Sequence, residues 1–198
     1  AVALVPPPNV ALAHSPAASP QHADGDRPAG SALAAHARSV VDPAVTFDDI
    51  GWLREVSGLP VVAKGVLRGD DAAACVAAGA AAVSVSNHGG RQLDGAVATA
   101  DALPEVVDAV AGVGAAAEVY VDGGIRSGVD VLRALALGAR AVMVGRPVVY
   151  GLALDGEAGV RDVLETLTDE LVRAMALCGA PDLAALDRDL LAAGPPPC

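Results

Sequence analysis

Residues 118–130 read Glu118-Val119-Tyr120-Val121-Asp122-Gly123-Gly124-Ile125-Arg126-Ser127-Gly128-Val129-Asp130. A β-rich run passes through a glycine turn into a Ser127–Asp130 pair spaced to cap a helix. Working outward, the same order recurs on both sides. Val61–Ala63, Ala82–Ser86 and Ala141–Val144 are further short β-rich runs, apolar as expected for strands buried on both faces. With Glu118–Val121 their centres lie roughly 22, 36 and 22 residues apart, each gap long enough for a crossover helix. Asp70 and Asp71 open one such helix and Gly79 closes it; Pro104–Val110 forms the second. The third follows Ser127 through Val131, Leu132, Leu135 and Leu137 to Gly138. Upstream, Thr46 and Asp49 form a capping box ahead of Ile50, Leu53 and Val56, and Gly58-Leu59-Pro60 ends that helix. Downstream of Pro147, Val160, Val163, Leu164, Leu167, Leu171 and Met175 form one face of a last helix ending near Gly179. Four strand–helix units in series predict an α/β fold with a parallel sheet.

Composition bounds what such a domain does. Of 198 residues, 53% are hydrophobic and only 2% aromatic, so the core is built from Ala, Val and Leu. Thirteen Lys and Arg against twenty-four Asp and Glu give a net charge of −11. That balance argues against a nucleic-acid binder, which needs a basic face to neutralise phosphates. No apolar run reaches the roughly 18 residues of a membrane span; Ala72–Val83 is shorter and is interrupted by Gly79. The start lacks the basic segment of a signal peptide and an initiator Met, as expected of a fragment or a processed chain. Cys75, Cys178 and Cys198 lie far apart without a CxxC, so they read as ordinary thiols of a reducing cytoplasm and not as a metal or disulfide framework. Residues 1–45, rich in Pro, Ala, Ser, Asp and Gly, are expected to form a mobile loop region in which His14 and His22 are solvated. Residues 46–192 form the folded unit, and 193–198 a flexible tail.

The polar residues gather where strands end. Lys64 ends the first, Ser86, Asn87, His88 and Arg91 follow the second, Asp122–Arg126 the third, and Gly145-Arg146-Pro147 the fourth. In parallel α/β folds ligands bind outside the carboxyl ends of strands. Gly123, Gly124 and Gly145 let backbone N–H groups approach an anion, the helix opening at Ser127 adds a positive end, and Arg126 and Arg146 supply forked donors. Together these turns predict a phosphate site. Taken singly, Lys64 reads as a strand-end lysine reaching for water and His88 as a hydrogen-bonded loop histidine. In company, His88 is a candidate base and Arg91 a candidate carboxylate clamp.

The stretch Ser86-Asn87-His88-Gly89-Gly90-Arg91-Gln92-Leu93-Asp94, with Lys64-Gly65-Val66, Asp122-Gly123-Gly124-Ile125-Arg126 and Gly145-Arg146-Pro147, resembles the FMN-dependent 2-hydroxy-acid oxidases and dehydrogenases, a family that includes glycolate oxidase, lactate oxidase and mandelate dehydrogenase. The resemblance runs from about Pro6 to about Leu190. It implies a (β/α)8 TIM barrel of which this chain supplies about the last four βα units. It also implies FMN held at the carboxyl rim. Lys64 would lie by the flavin pyrimidine and stabilise the reduced ring, and Ser86 would touch the flavin. Asp122, Gly123, Gly124, Ile125 and Arg126, with Gly145 and Arg146, would bind the ribityl chain and phosphate. His88 would be the base and, with Arg91, would bind a small 2-hydroxy acid on its way to a 2-oxo acid. Carbanion and hydride routes both fit, as do oxygen, a quinone or a carrier as reoxidant. The resemblance further implies self-association into homo-oligomers.

The segments that the family places before this region are not in the chain: early substrate-facing tyrosines, the first four strands, and a strand-four Asp that orients the histidine. A chain of four βα units with two open sheet edges is therefore expected to bind FMN weakly, if at all, on its own. Two other readings stand beside this one. One is another FMN or phosphate barrel, inosine-monophosphate-dehydrogenase-like or a flavin-dependent isomerase, which shares the Asp122–Arg126 turn. The other is a non-catalytic half-barrel that assembles with a partner.

Overall fold

The computed structural model describes residue 42, residues 44–114 and residues 116–191. The expectations for a loop within residues 1–41, for His14, His22 and Cys198, and for the 193–198 tail lie outside the described residues. The elements run α1 (Asp48–Ser57), β1 (Val62–Val66), α2 (Gly69–Ala77), β2 (Ala82–Val85), α3 (Thr99–Val113), β3 (Glu118–Val121), α4 (Gly128–Ala136), β4 (Ala141–Val142) and α5 (Arg146–Cys178). The strands form one sheet in the order β1-β2-β3-β4, and every neighbouring pair is parallel. Each crossover carries a helix, because parallel neighbours cannot be joined by a tight turn. This is a four-strand arc of the expected (β/α)8 barrel.

The strands differ from the expectation in one respect. Among the described residues they are covered by helices on one face only. Val83, Val85, Val119 and Val121 belong to the main core with Leu103, Val106 and Val110 of α3 and Ala72, Cys75 and Val76 of α2. The alternate residues are polar: Lys64, Ser84, Ser86, Glu118, Tyr120 and Asp122. Strand β3 shows the rule, since Glu118 and Tyr120 remain accessible while Val119 and Val121 are buried. Successive side chains of a strand point to opposite faces, so four residues suffice to build an apolar outside and a polar inside.

Element boundaries differ from the expected ones for physical reasons. Lys64 does not end β1. It sits inside the strand, which continues through a register shift at Gly65 (φ +101°) to Val66. A glycine in left-handed backbone within a strand marks a bulge, and this bulge re-aims the chain beyond Lys64. Helix α3 begins five residues before Pro104, leaving that proline inside the helix. A proline there costs about 3 kcal/mol in lost hydrogen bonding and crowding, which burial of Leu103, Val106 and Val110 offsets. The capping box at α4 is complete, with Ser127 accepting from the Asp130 N–H and Asp130 reaching back to Ser127. At α1 half of the expected box is present: Asp49 Oδ2 accepts from the Thr46 N–H at 2.6 Å, while the cap position is Phe47. Helix α5 breaks at Asp155 and Gly156, which leave helical backbone, so that the segments on either side fold back to touch. Gly151 and Gly159 meet backbone to backbone where they cross, and a side chain at either position has no room.

Candidate active site

Three adjacent strands deliver one residue each to a closed polar network. Lys64 pairs in register with Ser84, and Ser84 with Tyr120, so Ser86 and Asp122 stand one inward-facing step further toward the carboxyl ends. The Lys64 ammonium donates to Ser86 Oγ at 2.8 Å and lies 2.7 Å from Asp122 Oδ2. The Ser86 hydroxyl donates to Asp122 Oδ1 at 2.7 Å. Ser86 is fully buried, whereas the Asp122 and Lys64 side chains keep 18% and 40% exposure. The ion pair is thus open to the rim above it while its hydroxyl bridge is not.

His88 is attached to this network through its main chain. Its N–H donates to Ser86 Oγ at 3.2 Å, and its backbone takes φ +55°. It is the one non-glycine among the described residues with positive φ, a conformation that costs about 1–3 kcal/mol and must be held by its surroundings. Asn87 supplies part of the hold: Oδ1 accepts from the Gly89 N–H at 3.1 Å and Nδ2 donates to the Val97 carbonyl at 3.3 Å. Gly65 supplies another part. A Cβ at Gly65 would stand 2.8 Å from His88 Cε1, so the imidazole rests against bare backbone. His88 is exposed, and no side chain hydrogen-bonds to its ring among the described residues. An imidazole presented this way is accessible to a small molecule at the rim.

The candidate anion turns are arranged differently from the sequence expectation. The amino end of α4 is already filled. Asp130 Oδ2 accepts from the N–H groups of Arg126 and Ser127, each at 3.0 Å, and Glu170 Oε2 accepts from the Gly128 N–H at 2.7 Å. Two carboxylates occupy the positive end that the sequence offers to a phosphate. The open end belongs instead to α5, where Gly145 makes no side-chain cap and Arg146 and Pro147 follow. Arg146 Nη2 lies 3.6 Å from where a Cβ on Gly89 would stand, which brings this end beside the His88 turn. A Cβ on Gly124 would meet nothing within 4 Å, while the backbone of Gly123 packs tightly under Asn87 and Thr99. An open glycine, an uncapped helix start and an arginine fork suit a phosphate. Ile125 has its side chain in the main core, so only its backbone is left to a ligand. Arg91 and Arg126 are exposed, and neither side chain makes an ion pair or hydrogen bond among the described residues.

Sequence reasoning names Asn87 only among the strand-end polar residues and Gly65 only within a motif, without the part each plays in holding His88, and it misses Thr99. Thr99 is buried, and its hydroxyl donates to the Gly123 carbonyl at 3.2 Å, tying the third strand end to α3. A glycine inside an apolar strand is the available signal for Gly65. Nothing local marks Thr99, whose partner lies 24 residues away.

The sequence pattern of the FMN-dependent dehydrogenases matches residues 2–193. The chain belongs to that family. As a family member it is similar to 2-hydroxyacid oxidase 1 of Homo sapiens, 52% identical over 177 residues, which are 89% of this chain and 46% of that protein. It is likewise similar to the L-lactate oxidase of Nostoc sp., 54% identical over 170 residues, 86% of this chain and 45% of that one. The structure of mandelate oxidase with (S)-4-hydroxymandelic acid superposes with a TM-score of 0.74 at 50% identity, over 80% of this chain and 44% of the other. The chain spans about half the length of the relatives it matches. As a member of the FMN-dependent dehydrogenases it is the four-unit arc of a TIM barrel, and the match favours this family over the other phosphate barrels that share its Asp122–Arg126 turn.

Proposed function

We propose that this chain carries the flavin-phosphate and base-bearing half of an FMN-dependent oxidoreductase that converts a small 2-hydroxy acid into the 2-oxo acid. The observation that carries the reading is the assembly at one rim of the Lys64–Ser86–Asp122 network, the exposed His88 ring and the uncapped start of α5 beside Arg146. Those residues fit FMN. Gly124, Gly145 and Arg146 would take its phosphate, with Gly123, the Ile125 backbone and Arg126 alongside, and Lys64 and Asp122 would be the charged groups facing its ring and ribityl chain. When bound, FMN supplies the two-electron acceptor. His88 accepts a proton from the substrate, and Arg91 pairs with its carboxylate through a forked contact. Lys64 holds a positive charge where negative charge develops, already oriented by Asp122.

Lactate and glycolate are the proposed substrates, by likeness to the named oxidases, and L-lactate dehydrogenase activity belongs to the same reading. Homo-oligomers are proposed as well, supported by sheet edges at β1 and β4 that each have a single neighbour among the described residues. A cytoplasmic location is supported by Cys75 and Cys178, which form no disulfide among the described residues; cell fractionation tests it. The functional test is titration of the chain with FMN, followed by flavin fluorescence. Quenching that inorganic phosphate competes away is expected, with an affinity weaker than about 1 μM because half a barrel leaves one side of the cofactor uncovered. No fluorescence change up to about 1 mM FMN overturns the reading. Bleaching of the loaded chain by lactate or glycolate would show that four units suffice for turnover.

A further inference from the structure

We propose that Asn87 is a positioning residue whose single carboxamide holds two things at once, the backbone of His88 and the loop that carries Arg91; the base and clamp roles of those two rest on the reading above. Three consecutive residues take left-handed backbone: His88 at φ +55°, Gly89 at +68° and Gly90 at +72°. The two glycines adopt it freely, and His88 must be held there. The turn over His88 is closed twice from Asn87. Its Oδ1 accepts from the Gly89 N–H at 3.1 Å, and its main-chain carbonyl accepts from the Gly90 N–H at 3.0 Å. In that backbone the imidazole rests on Gly65, where a Cβ would stand 2.8 Å from His88 Cε1.

The other end of the carboxamide has a separate task. Nδ2 donates to the Val97 carbonyl at 3.3 Å and so joins the two ends of the segment 88–96, which contains Arg91. The partners fix which end is which, since an N–H only donates and a carbonyl only accepts. The side chain is also seated on the third strand end, because a Cβ on Gly123 would stand 3.1 Å from Asn87 Oδ1. A carboxamide has both a donor and an acceptor. Aspartate at this position keeps the acceptor for Gly89 but sets a carboxylate against the Val97 carbonyl, and alanine keeps neither contact. The two tasks therefore come apart by substitution.

Nuclear magnetic resonance of the full ¹³C,¹⁵N-labelled chain reads both tasks and needs no cofactor. The wild type is expected to show an NOE between a Gly65 Hα and the His88 Hε1, which reports the seat of the ring. Asn87→Asp is expected to keep that NOE and the protection of the Gly89 amide, while ¹⁵N relaxation shows the Arg91–Ala96 backbone more mobile. Asn87→Ala is expected to lose the NOE as well and to exchange the Gly89 amide about fivefold faster, the worth of one hydrogen bond, with the amides of α3 unchanged in both variants. Asn87→Leu repeats the second comparison with a side chain of near-native size. No NOE in the wild type, or an unchanged NOE and Gly89 rate in Asn87→Ala and Asn87→Leu, overturns the hold on His88. Unchanged relaxation of residues 91–96 in Asn87→Asp overturns the hold on the Arg91 loop. FMN quenching is scored separately: its absence from the wild-type chain counts against the flavin reading, and the two holds are still decided by these signals.

Discussion

The two faces of the sheet are built from the same strands by opposite rules. On the outer face Val83 and Val85 are fully buried, Val119 and Val121 nearly so, and α2, α3 and α4 pack over them. On the inner face the same strands present Lys64, Ser84, Ser86, Glu118, Tyr120 and Asp122. The outer face removes apolar area from water and holds the arc together. The inner face groups charges and hydroxyls whose mutual hydrogen bonds fix geometry and contribute little net stability. Stability and chemistry are thus separated by a single residue step along each strand. A one-residue slip of register would exchange them.

The largest test of that division is a truncation on the outer side. Leu103 is fully buried in α3 against the valines, and Leu103→Ala is expected to lower unfolding free energy by about 2–5 kcal/mol in urea melts. The inner side should respond in the opposite direction. Ser84 is fully buried, and among the described residues its hydroxyl has no partner. Ser84→Ala removes an unsatisfied group and is expected to raise stability by about 1 kcal/mol in the same assay. Destabilisation of that size by Ser84→Ala would mean that the inner face also carries packing energy, and the contrast between the faces would fail.

The outer face is the legible one. Apolar runs at crossover spacing identify the four strands and their parallel order, because burial under helices writes a strong local pattern. The inner alternation is equally present in Glu118-Val119-Tyr120-Val121-Asp122, yet Ala-rich neighbours such as Ala82 and Ala141 carry no polarity and mask it. Of the site, the members at strand ends are legible because topology gathers such residues at one rim. Their pairing is not. The Ser86 bonds to Lys64 and Asp122 bridge 22 and 36 residues, distances over which sequence holds no geometric information. The occupied amino end of α4 is illegible for the same reason, since Glu170 comes from 42 residues downstream.

The smallest expected effects lie in pH, and they separate the faces by sign. Behind the helical layer, Arg188 clamps the C-terminal segment to α3 through Asp108 at 2.8 Å and the Pro104 carbonyl at 3.2 Å. The hydrogen bond from Arg188 holds the Asp108 carboxyl below its ordinary value. A lowered carboxylate stabilises the fold above its unfolded pKa, near 3.8, and the contribution fades as pH falls through the lower folded value. On the inner face, the hydrogen bond to Glu118 raises the Tyr120 phenol above its ordinary value near 10. A raised group stabilises below its unfolded pKa, and this contribution fades as pH climbs past 10. Both pairs are solvent-exposed, so each effect is modest and shrinks with added salt. Asp108→Asn should therefore flatten the acid limb of a stability–pH profile and leave the alkaline limb unchanged, while Tyr120→Phe should do the reverse. Either variant moving both limbs would show that the two faces share their electrostatics after all.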